Sequence, residues 1–361
     1  MRLEDIPTPA LVLDLGILKR NLAHMQAAVA RHRDVVLRPH MKTAKSRAVA
    51  ELAAPGHGPI TVSTLAEARY FAEGGWRDQI YGVGITPQKL DAVAALNADG
   101  AAVKVITDDA EVAAAIAAHP GPIEALVEVD VGEGRGGVPP EAALEVARAL
   151  GDRLAGIFTH AGHSYGGRSD AEMTAIAEVE RAGAVAAAEA LREAGLKVRI
   201  VSLGSSPTAL HAAHLDGITE VRAGVYMFGD LFQAQLGTHA EADIAMTVLA
   251  SVIGRKPARG ALLLDAGALA LSKDRSTEKA PHDYGFGKLL DIDGLPAFDG
   301  ALVTRVHQEH GEAAPMPMLA VGAKLRIAPN HTCLTAAAHE CYHVVDGGRE
   351  VIAIWERVNF W

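Results

Sequence analysis

Apolar positions along the chain fall into two textures. Over residues 16–31, Leu18, Leu22, Met25 and Val29 recur three or four apart, the spacing of an amphipathic helix with one buried face. Eight short apolar or β-branched runs follow, at 35–37, 60–62, 80–83, 103–106, 125–129, 156–158, 198–201 and 221–227. Segments rich in Ala, Glu and Leu separate them, among them 64–73, 87–97, 109–118, 141–150 and 170–194. Alternating strand and helix implies a parallel sheet with right-handed crossovers. Eight repeats close most simply into a (β/α)8 barrel, with an open doubly wound sheet as second choice.

Beyond about residue 242 the texture becomes β throughout. Closely spaced runs at 246–253, 261–264, 289–292, 301–306, 324–327, 342–345 and 351–355 are punctuated by turn signals such as Asp291-Ile292-Asp293-Gly294 and Asp346-Gly347-Gly348, with no convincing helix between them. A separate β domain is expected there. The first dozen residues, in which Ala10-Leu11-Val12-Leu13-Asp14 reads as a strand, are an expected addition to it. The division expected is therefore residues 12–241 as the barrel, with 1–11 and 242–361 as the β domain.

Length and composition narrow the function class. A chain of 361 residues accommodates a barrel plus a second module. Apolar residues at 49% and charged residues at 22% suit an ordinary globular protein. The formal charge of -10 argues against a nucleic-acid surface, which needs concentrated Lys and Arg, and favours a small-molecule partner. The start of the chain lacks a basic, apolar leader, and no run is long enough to span a membrane, so a cytoplasmic protein is expected. The two cysteines, Cys333 and Cys341, do not indicate a disulfide framework.

In such a barrel, chemistry belongs in the loops that follow the strands. Strand one runs into Arg38-Pro39-His40-Met41-Lys42-Thr43, and strand five into Asp130 and Gly134-Arg135-Gly136-Gly137. Strand six runs into Thr159-His160-Ala161-Gly162-His163-Ser164-Tyr165, and strand seven into Ser202-Leu203-Gly204-Ser205-Ser206-Pro207-Thr208. Strand eight contains Arg222-Ala223-Gly224-Val225-Tyr226. The loops after strands seven and eight often hold phosphate in barrels, although a Gly-Ser-Ser turn alone is as often merely a loop. A random Lys is usually a solvated charge. At Lys42, neighbouring positive charge from Arg38 and His40 and partial burial would instead depress the amine pKa, as Schiff-base chemistry requires. Lysine, phosphate pocket and barrel together point to pyridoxal phosphate.

These segments, with Gln308-Glu309-His310-Gly311 and Pro329-Asn330-His331-Thr332-Cys333, resemble the D-serine dehydratase, D-threo-3-hydroxyaspartate dehydratase and D-threonine aldolase group of alanine-racemase-fold enzymes over almost the whole chain. The resemblance implies that Lys42 is the Schiff-base lysine and the base for the α-proton. It further implies that Arg135 faces the cofactor's phenolic oxygen, that His160 packs against its ring, and that Arg222 stands where the pyridine-nitrogen partner lies. Gly204, Ser205, Gly224 and Tyr226 would hold the phosphate, and Tyr165 would neighbour cofactor or substrate.

His331 and Cys333 are two apart, which on a strand or extended turn puts both side chains on one face, and imidazole with thiolate suits zinc. A stray pair of this kind is usually structural; the resemblance turns it into a metal pair, because the dehydratases share His-x-Cys where the aldolases tend to carry Asp at the second position. Zinc is the leading metal, with Mn, Co or Mg as other choices. His339 and His343 read as surface or packing residues, Glu309 and His310 as metal-water or substrate contacts or a plain turn, and Cys341 as a structural thiol.

The expected reaction is β-elimination from D-serine, D-threonine or D-threo-3-hydroxyaspartate to a 2-oxo acid and ammonia, the metal acting as Lewis acid on the 3-hydroxyl. Retro-aldol cleavage to glycine and an aldehyde is the nearest rival. A racemase would need a second base that the sequence does not display. A non-catalytic pyridoxal-phosphate carrier would not need the β domain or the His331/Cys333 pair. A homodimer is expected from the resemblance alone.

Overall fold

The computed structural model describes all residues from 1 to 361. The chain opens with strand β1 (Ala10–Asp14) and helix α1 (Leu15–Ala30). Eight strands follow, interleaved with helices: β2 (Val36–Pro39), α2 (Arg47–Ala53), β3 (Ile60–Val62), α3 (Leu65–Glu73), β4 (Asp78–Gly84), α4 (Leu90–Ala98), β5 (Ala102–Thr107), α5 (Ala110–Ala118), β6 (Glu124–Val129), α6 (Ala143–Leu150), β7 (Leu154–Thr159), α7 (Asp170–Glu193), β8 (Ile200–Leu203), α8 (Ser206–His211) and β9 (Glu220–Ala223). Two compact units result, one of Met1–Ala23 with Val225–Arg357, the other of His24–Gly224 with Val358–Trp361.

The unit that holds β2 to β9 is a closed parallel barrel in the order β2-β9-β8-β7-β6-β5-β4-β3. The seam between β2 and β3 is closed by a parallel bridge from His40 to Thr61, with the Met41 N–H donating to the Thr61 carbonyl at 2.8 Å. Closure rules out the open doubly wound alternative. Local chemistry starts the helices: Thr64, Asp109 and Ser169 each accept backbone N–H groups at the N-termini of α3, α5 and α7. Inside the barrel, Ile80, Ile106, Leu126, Ala155 and Phe158 form an apolar core. Next to it lies a polar network in which Arg38 pairs with Glu220 at 2.8 Å and Asp78 at 3.2 Å, while Ser202 donates to Glu220 at 2.6 Å.

The second unit is a nine-stranded, mostly antiparallel sheet, in which β1 pairs with β10 (Met246–Lys256) and β16 (Cys341–Val345). The sheet also contains β11 (Ala261–Leu264), β12 (Lys288–Leu290), β13 (Leu302–Val306), β14 (Gly311–Ala314), β15 (Lys324–Ala328) and β17 (Ala353–Glu356). Leu3, Ile6, Ala10, Val12, Leu249 and Val345 pack one of its cores.

Three features differ from the pattern-based expectation. The run 221–227 is a strand only to Ala223; at Gly224 the backbone passes so close to the His40 carbonyl that a Cβ would lie 2.8 Å from it, and a 3-10 turn, Val225–Met227, follows. β14 escapes detection because its four residues, Gly-Glu-Ala-Ala, have low β-propensity and are paired by their neighbours. A short helix, α9 (Leu231–Gln235), precedes the β texture, and two more, α10 (Ala268–Leu271) and α11 (Thr332–Ala336), interrupt it. No helix is long and apolar enough to cross a membrane.

Candidate active site and metal pair

At the C-terminal ends of the barrel strands, Lys42, His40, His160, Arg135 and Arg222 come within electrostatic reach of one another. Lys42 lies in the turn after β2, anchored by buried Met41, Thr43 and Ala44. Its side chain is exposed, so the expected partial burial does not hold: it projects from the open end of the barrel. Arg38 does not lend its charge to Lys42 either. Its partners Glu220, Asp78 and Ile60 are the first residues of β9, β4 and β3, at the opposite end of the barrel.

His160 follows β7, and its Nδ1 is 2.8 Å from the Gly204 carbonyl, so Nδ1 carries the hydrogen and Nε2 is left as the free ring nitrogen. Burial, together with the charges of Lys42, Arg135 and Arg222, pulls its pKa down to about 3, and the ring is neutral at physiological pH. Burial and the same cations, Lys42 and Arg222, hold His40 well below its usual value. Arg222 is buried, donates to Ser202 Oγ at 2.6 Å and to the Thr159 carbonyl, and stacks 3.5 Å from the Phe158 ring centroid. Burial lowers its pKa to about 10, which leaves it charged. Arg135 is exposed on its glycine-rich loop, 3.3 Å from Glu133.

Gly204 and Ser205 form the turn after β8. Gly204 adopts a φ of +140°, and a Cβ there would fall 2.1 Å from the Arg222 carbonyl. Its N–H donates to Glu180 at 2.9 Å, and the Ser205 N–H donates to Thr208 Oγ1 at 3.2 Å. The Ser205 hydroxyl caps α8 and lies 3.0 Å from Ser164 Oγ. The Gly204 N–H is thus engaged by α7 and the Ser205 N–H within its own loop, and at both Gly204 and Gly224 neighbouring backbone passes too close to admit a side chain. Tyr165 is half-buried in the 3-10 turn Gly162–Gly166. Tyr226 belongs to the other compact unit, buried in the turn after Gly224, with its carbonyl accepting from His239 at 2.8 Å.

Within the β-sheet unit, His331 and Cys333 are in side-chain contact, but not as neighbours on an extended strand. His331 is the N-cap of α11 and Cys333 lies in its first turn, so the pairing arises from a strand-to-helix corner. Asp230 holds that corner, accepting from the Thr332 N–H at 3.1 Å while also capping α9. Asp274 Oδ2 lies 3.5 Å from His331 Nδ1. Burial alone would lower the His331 pKa, but the bonds to Asp274 and Cys333 outweigh it and push it up to about 11. No set of three or more His, Cys, Asp or Glu side chains is arranged around a point as metal ligands. His339 Nε2 donates to the Ala270 carbonyl at 3.0 Å, and Glu309 and His310 are exposed in the turn that joins β13 and β14.

Sequence reasoning did not reach Glu180, Asp230 or Asp274. Each is an isolated acid whose role depends on a distant partner. Glu180 alone carried a signal, as an acid on the apolar face of an Ala-rich helix.

Residues 13–231 match the model of the alanine racemase N-terminal domain, and residues 245–345 match one described as "Putative serine dehydratase domain". The chain is 42% identical to D-threo-3-hydroxyaspartate dehydratase of Delftia sp. (strain HT23), over 99% of this chain and 98% of that one. It is 33% identical to D-threonine aldolase of Arthrobacter sp., over 98% and 93% of the respective chains. Among solved structures, a Cys-to-Ala mutant of D-threo-3-hydroxyaspartate dehydratase in the metal-free form superposes with a TM-score of 0.94 at 40% identity, covering 100% of both chains. A closed parallel barrel, a β-sheet unit and likeness along the full length place the chain in the alanine racemase N-terminal domain family, in the branch that carries a serine dehydratase domain.

Proposed function

We propose that the chain is a pyridoxal-phosphate-dependent lyase that removes water from a D-configured 3-hydroxy amino acid, yielding a 2-oxo acid and ammonia. The observation that carries this reading is the end-to-end 42% identity with D-threo-3-hydroxyaspartate dehydratase. D-Threo-3-hydroxyaspartate is therefore the first substrate to test, followed by D-serine and D-threonine.

The donor set at the barrel mouth fits the cofactor. Lys42 offers an accessible primary amine, Arg135 offers positive charge for its phenolic oxygen, Arg222 a buried cation for its ring nitrogen, and His160 a neutral ring held in one orientation. When bound, the cofactor would supply an electron sink for the charge that develops at Cα. Lys42 would bind its aldehyde and, once displaced by substrate, take the Cα proton. Gly204, Ser205, Gly224 and Tyr226 would line its phosphate, and Tyr165 would stand beside it. Arg222 stays charged, so it would donate to the ring nitrogen without giving up a proton.

The His331/Cys333 pair fits a borderline-soft divalent ion, zinc above Mn, Co or Mg, with remaining positions left to water and substrate. Such an ion would supply Lewis acidity at the departing 3-hydroxyl. Asp274 would orient the His331 ring, as carboxylates commonly do behind a metal-bound imidazole. The released enamine then tautomerises and hydrolyses in solution.

Likeness to D-threonine aldolase at 33% identity supports one other reading, retro-aldol cleavage to glycine and an aldehyde. Cys333, in place of the Asp that the resemblance associates with aldolases, favours elimination. Incubation with the three substrates, with and without chelator, separates them. Elimination gives ammonia and 2-oxo acid, lost on chelation; glycine without ammonia would overturn the dehydratase reading. A homodimer in the cytoplasm belongs to the same proposal, and light scattering reads the oligomeric state.

A further inference from the structure

We propose that Glu180 is a positioning residue: from helix α7 it fixes the backbone of Gly204, and through Gly204 the orientation and tautomer of His160. The inference rests on the proposed cofactor site but stands on geometry within the barrel. Glu180 is fully buried on a helix whose neighbouring buried positions are Ala177 and Ala184. A carboxylate in such a place is costly unless its bonds repay the lost hydration. Its Oε1 accepts the Gly204 N–H at 2.9 Å. The other polar group of the same residue, the Gly204 carbonyl, accepts from His160 Nδ1 at 2.8 Å. Gly204 is therefore held from both sides, by an acid on one and an imidazole on the other. It has no alternative side chain to offer, because any Cβ would strike the Arg222 carbonyl.

The Gly204 N–H belongs to the Leu203–Gly204 peptide and its carbonyl to the Gly204–Ser205 peptide, so Glu180 acts through the torsions of Gly204: releasing its bond frees them, and the carbonyl that specifies the Nδ1–H tautomer of His160 loses its fixed direction. A purely structural acid would anchor α7 and leave His160 unaffected. The groups facing Glu180 are few: Arg222 from β9 is the charged one, Thr208 from α8 and the Ala161 backbone after β7 lie beside it, Oε2 has no hydrogen-bond partner, and His160 beyond Gly204 is neutral. Burial raises the Glu180 pKa to about 7, against the Gly204 bond and Arg222, so its charge changes near neutrality.

The test uses the full chain labelled with ¹⁵N-histidine, before and after loading with pyridoxal phosphate, with His160→Gln identifying the His160 signal. Wild type should show the Nδ1–H tautomer and a pH-dependent shift of that signal with a midpoint near 7. Glu180→Gln keeps an oxygen acceptor for Gly204, so it should retain the tautomer and cofactor affinity but lose the pH step. Glu180→Leu should mix the tautomers and weaken cofactor binding roughly tenfold or more. A folded Glu180→Leu with wild-type tautomer and affinity would overturn the proposal. If that variant does not fold, Glu180→Gln decides: a pH step that persists in it, or is missing from wild type, overturns the proposal. Wild type that binds no cofactor would defeat the proposed function, while the tautomer result would still judge Glu180.

Discussion

A single imidazole shows how the barrel mouth handles charge. His160 sits among Lys42, Arg135 and Arg222, where protonation is opposed by burial and by three cations, so it meets a bound ligand as a neutral ring. The opposite holds at His331, which two acidic partners keep charged until a cation displaces the proton. Removing the orienting carboxylate with Asp274→Asn is expected to weaken metal affinity by roughly tenfold to a hundredfold, read by competition with a chromogenic chelator. Removing a ligand with His331→Ala or Cys333→Ser should leave the purified protein below one metal per chain by elemental analysis, with D-amino acid turnover reduced in parallel. Retention of stoichiometric metal in both ligand variants would move the ion elsewhere.

Elements place these residues, and their glycines set the tolerances. At Gly204 the clash distance of 2.1 Å is to backbone, which cannot swing aside, so Gly204→Ala is expected to cost more than about 3 kcal/mol or to give no folded protein. Gly166 has open space around its would-be Cβ and no left-handed φ, so Gly166→Ala should stay within about 0.5 kcal/mol of wild type by thermal midpoint. Asp109→Ala, which strips the cap from α5, should fall between them at about 1 kcal/mol. The strand-and-helix alternation was legible in sequence because each strand end carries its own punctuation, and Thr64, Asp109 and Ser169 stand where caps are required. The His331–Cys333 corner was legible as a pair but not as a geometry: two-residue spacing suggests a strand, whereas Asp230, a hundred residues away, turns the segment into a helix. Long-range acids of this kind leave no local pattern. The same applies to Glu180 and to Arg38, whose charge is spent on Glu220 and Asp78 rather than on Lys42.

For the whole molecule, protonation links the site to stability. His160, near 3 when folded against 6.5 unfolded, contributes stability above pH 6.5 that is lost as pH falls toward 3, and His40 acts in the same direction. Glu180 opposes them: raised to about 7 from 4.5, its contribution is present below pH 4.5 and lost as pH rises to 7. Between pH 4.5 and 6.5 the unfolded chain holds a proton at His160 that the folded chain lacks, the folded chain holds one at Glu180 that the unfolded chain lacks, and His40 tips the balance toward the unfolded side. Stability of the cofactor-free protein should fall on acidification across this interval, and Glu180→Gln should steepen that fall by about 1.4 kcal/mol per pH unit in urea titrations. An unchanged slope in that variant would mean that Glu180 carries the same charge in the folded and unfolded chains across the interval. The measurement closest to the central claim is borohydride reduction of the protein loaded with pyridoxal phosphate, followed by peptide mapping. The account predicts one phosphopyridoxyl group, on Lys42; an adduct at Lys45 or Lys89 instead, or none after loading, would contradict it.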